Sequence, residues 1–136
     1  MPPNLHVTQA NADAAHAELF APWVQQLGLC DFVVGDGMAA ATLPAKAELQ
    51  FAGNIVCGQA IMSAVDTVIS MAMLTTDRVT KGTVYQHTHF LRPAGGGSFR
   101  VEAKVLRFGK ATAFAEARVT NPGGDLIAHA TAEFAF

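Results

Sequence analysis

The sequence predicts a single α+β domain in which an antiparallel sheet of about six strands curls around one long apolar helix. Three observations lead there. Cys57 to Thr75 is long, Ala- and Met-rich, free of Pro and apolar on nearly every side, so as a helix it must be wrapped by other structure. Segments with strand-like alternation lie on both sides of it, and turn residues separate them. With 136 residues and 51% hydrophobic content, the chain can bury a core without disulfide or metal staples.

The elements follow in order. Asn11 is placed to cap a helix running to about Leu27, with Gly28 as its stop and Leu19, Phe20, Trp23, Val24 and Leu27 as one apolar face. Two short strands, Cys30 to Val34 and Met38 to Leu43, are joined by Gly35-Asp36-Gly37, a sequence suited to a tight hairpin. Lys46 to Val56 reads as a connecting loop before the central helix. Four strands come after it: Thr83 to Leu91, Ser98 to Phe108, Ala111 to Thr120 and Leu126 to Phe134. The later three are punctuated by Gly109-Lys110 and Asn121-Pro122-Gly123-Gly124. Phe99, Val101, Ala103 and Val105 alternate with Arg100, Glu102 and Lys104, and Leu126, Ala128, Ala130, Ala132 and Phe134 alternate with His129 and Glu133. These two strands therefore have one dry and one wet face.

Composition narrows the function classes. A net charge of -2, without blocks of like charge, carries neither a nucleic-acid footprint nor a polybasic membrane patch. Asp66 near the middle of the apolar stretch would cost roughly 2.5 to 3.5 kcal/mol in a bilayer, so that stretch reads as a buried helix rather than a span. Six of the nine basic residues fall after Lys81, so a cationic site for an anionic ligand belongs in the second half. Cys30 and Cys57 lie in apolar surroundings and the N-terminus lacks the pattern of a secretory leader, which points to a reducing cytoplasm.

The chemistry is concentrated on the central helix. Gln59, Ser63, Asp66 and Ser70 are spaced by four, three and four, which stacks them on one face as a single polar stripe. Aspartate is a poor residue in mid-helix and costly to bury unless matched, so Asp66 needs a reason to be there. It is either a structural carboxylate bonded to backbone or to Thr67, or a partly desolvated base or nucleophile.

The run Gly53-Asn54-Ile55-Val56-Cys57-Gly58-Gln59 through Asp66-Thr67 resembles the signature of phenylacetate-degradation-type (PaaI-like) hotdog thioesterases, in which His-Gly-Gly opens the central helix and an Asp follows nine residues after the His. The similarity continues through Thr83-Val84, Phe90-Leu91-Arg92-Pro93-Ala94, Arg107-Phe108-Gly109-Lys110 and Leu126 to Thr131. The resemblance implies a hotdog fold that needs no cofactor, a homodimer (or a dimer of dimers) joined edge to edge through the strand Thr83 to Leu91, and acyl-CoA as substrate. It implies Asp66 as general base or nucleophile, Thr83 as the hydroxyl that places water, and Gly58 as the amide that binds the thioester oxygen. A helix N-terminus suits that last role, because its amides point at developing negative charge. Cys57 stands where the family has His, Gln59 where it has a second Gly, and Phe51 where an Asn or Gln is common. Gln59 and Asn54 are the side chains that can replace the missing hydrogen-bonding partner.

Other candidates are weighed against plainer readings. Cys57 at a helix N-terminus, with His87 or His89 as base, is a nucleophile candidate, but a free Cys among apolar residues is more often a packing residue. His87 and His89 share a strand face as ligands would, yet no Cys or carboxylate has ligand spacing to them, so no metal site is read. Val84, Gln86, Thr88 and Phe90 form the other face of that strand, which the resemblance implies meets the central helix, where Gln86 needs a polar partner. Ser63 and Gln86 are placed to contact substrate, and Arg92, Arg107 and Lys110 lie at strand ends or turns where they can meet coenzyme A phosphates. The reading is a thioester hydrolase; the alternative is a hotdog module that binds acyl-CoA without catalysis, favoured by Cys57 in place of His.

Overall fold

The computed structural model describes residues 6–136, and the α+β expectation holds. A six-stranded antiparallel sheet packs around one long helix, α3 (Gly58–Met73). The strands are β1 (Cys30–Gly35), β2 (Met38–Leu43), β5 (Gly82–Phe90), β6 (Phe99–Phe108), β7 (Thr112–Thr120) and β8 (Leu126–Ala135), in the order β1-β2-β6-β7-β8-β5. Thus β5, which follows the helix, closes the far edge of the sheet and pairs only with β8 among the described residues.

Burial follows the alternation read from the sequence. On β6 and β8 the inward residues Phe99, Val101, Ala130, Ala132 and Phe134 are buried, while Glu102, Lys104 and Thr131 face outward. They meet Val65, Val68, Ile69 and Met71 of α3, which are fully buried. Each such side chain contributes about 1.5–3 kcal/mol of transfer free energy. Thr75 fastens the end of α3: its hydroxyl donates to the Ala72 carbonyl at 2.8 Å and accepts the Gly37 amide of the β1–β2 turn at 2.9 Å. Gly37 has φ +68°, a conformation that side-chain-bearing residues rarely adopt.

Four local expectations need correction. The first helix does not run to Leu27. It divides into α1 (Ala12–Leu19) and α2 (Pro22–Gln25), because Pro22 holds Ala21 extended (ψ 152°) and starts a new turn at its own preferred position. Asn11 does not cap α1 with its side chain. Its Oδ1 accepts the Thr8 amide and its Nδ2 donates to the His6 carbonyl, so it braces the preceding turn instead. The segment read as a loop between Lys46 and Val56 holds a 3-10 turn (Ala47–Leu49) and a small ladder of β3 (Gln50–Phe51) with β4 (Ile55–Val56). Trp23, assigned to an apolar face, is 59% exposed.

His16 of α1 is 6% exposed between Phe20 and Phe32, with ring centroids 5.6 and 4.8 Å away, and its Nε2 is buried without a hydrogen-bond partner. Burial pushes its pKa below the usual 6.5, opposed in part by Asp13. The folded state therefore favours the neutral ring: its full contribution is present above the unfolded value and is lost as pH falls through the lower folded one. In His16→Leu this acid-side loss should disappear, seen as a smaller drop in melting temperature between pH 7 and pH 5 than in the wild type.

Candidate active site

The polar stripe is where the sheet leaves α3 uncovered. Gln59 and Met62 are exposed and Ser63, Asp66 and Ser70 half-buried, whereas the flanking Ala64, Val65, Thr67, Val68 and Ile69 are buried. Asp66 is bonded not to Thr67, whose hydroxyl donates back to the Ser63 carbonyl at 2.8 Å, but to β5: Thr83 Oγ1 donates to Asp66 Oδ1 at 2.9 Å.

That bond depends on an irregularity the alternation did not predict. Regular pairing would put Thr83 on the same face as Tyr85, His87 and His89. In the structure Thr83 pairs with Phe134 and Tyr85 with Glu133, so Val84 is an extra residue in a β-bulge. Phe134 points inward, and Thr83 therefore points inward too, at Asp66. From Gln86 onward the inward set is Gln86, Thr88 and Phe90, and the expected place of Val84 in it is corrected: the bulge leaves Val84 56% exposed.

The helix N-terminus supplies a second feature. Cys57 is in extended conformation (ψ 151°), and its amide donates to the Leu49 carbonyl at 2.8 Å, which aims the start of α3. Gly58 is the first helical residue, so its amide has no carbonyl within the helix to bond. A Cβ at Gly58 would lie 3.3 Å from Phe90 Cζ, so the helix starts in close contact with the Phe90 ring of β5. Two cavities flank this terminus. One of about 430 Å³ is lined by Trp23, Lys46, Leu49, Cys57, Gln59 and Ser63. The other, of about 530 Å³, is lined by Phe51, Ile55, Gly58, Phe90, Leu91 and Arg92.

The remaining candidates divide. Gln59 and Cys57 border the first cavity with Ser63, whose hydroxyl donates to the Gln59 carbonyl at 2.8 Å. Gln86 does not reach Asp66; its Nε2 donates to Thr88 Oγ1 at 2.8 Å and to the Met62 carbonyl at 3.3 Å. Asn54 is exposed in the β3–β4 turn with φ +61°, a conformation Asn tolerates, so its local role is the turn. Arg92 edges the second cavity. Arg107 pairs with Phe114 on the outward face, and Lys110 sits in the β6–β7 turn, where Arg78 donates to the carbonyls of Gly109 and Lys110. Within one chain Arg92 is thus at the opposite end of the sheet from Arg107 and Lys110. His87 and His89 face away from α3, on the far side of the sheet from Cys57, so neither is a base for its thiol within the chain. Sequence reasoning missed the bulge and the Arg78 clamp; Arg78 also lies 3.6 Å over the Phe136 ring.

Among the described residues, no helix is long and apolar enough to cross a membrane. The thioesterase superfamily model matches residues 53–128, which includes both α3 and the Thr83 strand. An inferred esterase of Saccharolobus solfataricus is 35% identical over 69% of this chain and 68% of its own length. A conserved protein of Pseudomonas aeruginosa superposes with a TM-score of 0.79 at 29% identity, covering 89% of this chain and 98% of that one. The PaaI protein of the E. coli phenylacetic acid degradation operon superposes with a TM-score of 0.81 at 21% identity, covering 93% and 90%. By sequence this chain belongs to the thioesterase superfamily, and by structure it has the hotdog fold that PaaI shares.

Proposed function

We propose that the protein is an acyl-CoA thioesterase that works as a homodimer, with Asp66 as general base or nucleophile. The observation that carries this reading is the Thr83–Asp66 bond on the stripe of α3 that the described residues leave uncovered. A carboxylate held by a hydroxyl beside open space can orient a water against a carbonyl carbon, or attack that carbon itself. The Gly58 amide, at the positive end of the helix dipole, would stabilise the oxyanion.

Distance supports the dimer. Gly58 and Asp66 lie eight residues apart on one helix, about 12 Å along its axis. One thioester carbonyl cannot touch both within a chain, so Asp66 and Thr83 need the Gly58 of a second copy. The edge supports this. Val84, Phe90 and Leu91 are 56%, 48% and 53% exposed on or beside a strand whose outer edge is unpaired among the described residues, and pairing with a symmetry mate covers them. Such pairing also brings Arg92 of one chain toward the end of the sheet that carries Arg107 and Lys110 of the other, where CoA phosphates can bridge them. A dimer of dimers is compatible with the same contacts. Two free cysteines fit a reducing cytoplasm, where acyl-CoA is found.

Cys57 favours a second reading, acyl-CoA binding without turnover, because it removes the family's imidazole. Cys57 is half-buried and packs against the core. If packing is its role, Cys57→Ala retains most thiol release from acyl-CoA, and Cys57→His raises it. A loss on the order of a thousandfold in Cys57→Ala would point to a thiolate nucleophile.

Asp66→Asn tests the base itself. It keeps shape and the contact with Thr83 but cannot take a proton, so turnover should fall about a hundredfold to ten-thousandfold with substrate binding nearly unchanged. A destabilised variant with full activity per folded molecule would make Asp66 a structural residue.

A further inference from the structure

We propose that the pairing of β5 that completes the active site also builds a divalent transition-metal site on the opposite face of the sheet, from His87 and His89 of both chains. This rests on the dimer proposed above. The two rings stack with centroids 4.6 Å apart at 29°, exposed on the outward face of β5. Beside them on β8, Thr131 is opposite His87 and His129 opposite His89; His129 Nε2 is already engaged with Glu116 Oε2 at 3.3 Å.

The position of the two-fold axis comes from the active site. Asp66 is bonded to Thr83 at the start of β5, and Gly58 lies against Phe90 at its end. Bringing Asp66 to the partner's Gly58 therefore places Thr83 level with the partner's Phe90. A strand paired antiparallel with its own mate has the axis midway between partners, here at Gln86 or His87. Residues facing each other across such a join point to the same side of the sheet, so the outward histidines of the two chains share one face. With the axis at His87, the two His87 residues are directly opposite, with Cα atoms about 4.5–5.5 Å apart. With the axis at Gln86, His87 faces the partner's Tyr85 and the two His87 residues are diagonal neighbours about 7–8 Å apart. Either arrangement lets imidazoles from both chains close on one ion at a Zn–N distance of about 2.0–2.1 Å.

A single chain cannot do this. Among the described residues no three His, Cys, Asp or Glu side chains are placed to hold a metal, and the second copy doubles the imidazoles at the axis. Neutral imidazoles favour borderline ions such as Zn²⁺, Ni²⁺ and Cu²⁺. The site lies across the sheet from Asp66, so its ion would tie the dimer together without entering the chemistry.

The test is Zn²⁺ titration by calorimetry of protein stripped with EDTA, with its assembly followed by sedimentation and its thiol release assayed in EDTA. The expected result is a dimer, active without metal, that takes up about one Zn²⁺ per two chains. His87→Ala should abolish this uptake, His89→Ala should weaken it more than about tenfold, and His6→Ala should leave it unchanged. A dimer that binds no Zn²⁺, or binds it equally well after His87→Ala, overturns the metal site and leaves the thioesterase dimer standing. A chain that stays monomeric both in EDTA and with Zn²⁺ added overturns both.

Discussion

An apolar helix that has to be covered sets the terms for this molecule. Of the sixteen residues of α3, ten are buried, and the polar remainder is confined to one stripe. The sheet curls because that helix must lose water on nearly every side. Whatever stays uncovered is by default a place where solvent, a ligand or another chain can reach the helix. Asp66 stands there, at the boundary between core and water, and its carboxylate would be costly further round the helix and unremarkable on a loop.

The bulge at Val84 brings a hydroxyl to that boundary. Strands have period two, so an extra residue flips everything on one side of it to the other face. Here the flip sends Thr83 inward to Asp66 while leaving Gln86, Thr88 and Phe90 inward as well. It also lies on the open edge of the sheet, where a second strand can add. The proposed chemistry and the proposed assembly thereby share the same few residues of β5.

Much of the fold was legible because it rests on periodicity. The all-round apolar helix and the alternation of β6 and β8 follow from burial, and burial leaves a residue pattern. Features that rest on a single residue were less legible. Pro22 sits inside a run that otherwise reads as one helix, and Asn11 has the right identity for a cap but uses its side chain on the turn before it. The bulge was hidden because Thr83, Val84 and Tyr85 are all good strand formers, so no Gly or Pro marks the extra residue. Asp66 was found because a lone carboxylate on a greasy helix stands out. The Thr83 contact came only from resemblance, since alternation alone turns that side chain away. The basic residues resisted assignment because, within one chain, Arg92 lies at the opposite end of the sheet from Arg107 and Lys110.

The central claim is that each site takes Asp66 and Thr83 from one chain and Gly58 from its partner. Two variants can split these contributions. Asp66→Asn removes the proton acceptor, and Gly58→Pro removes the amide at a first-turn position whose backbone suits proline and where Cys57 already has the extended conformation that proline requires, at the cost of a few tenths of an ångström of movement in the Phe90 ring that its Cβ would meet. Each alone should be nearly inactive. Refolded together in equal amounts, half of the dimers are mixed, and each mixed dimer has one site with both defects and one with none. Thiol release from the mixture should then recover to roughly a quarter of the wild-type rate per chain. A mixture no more active than its parents would contradict the shared site.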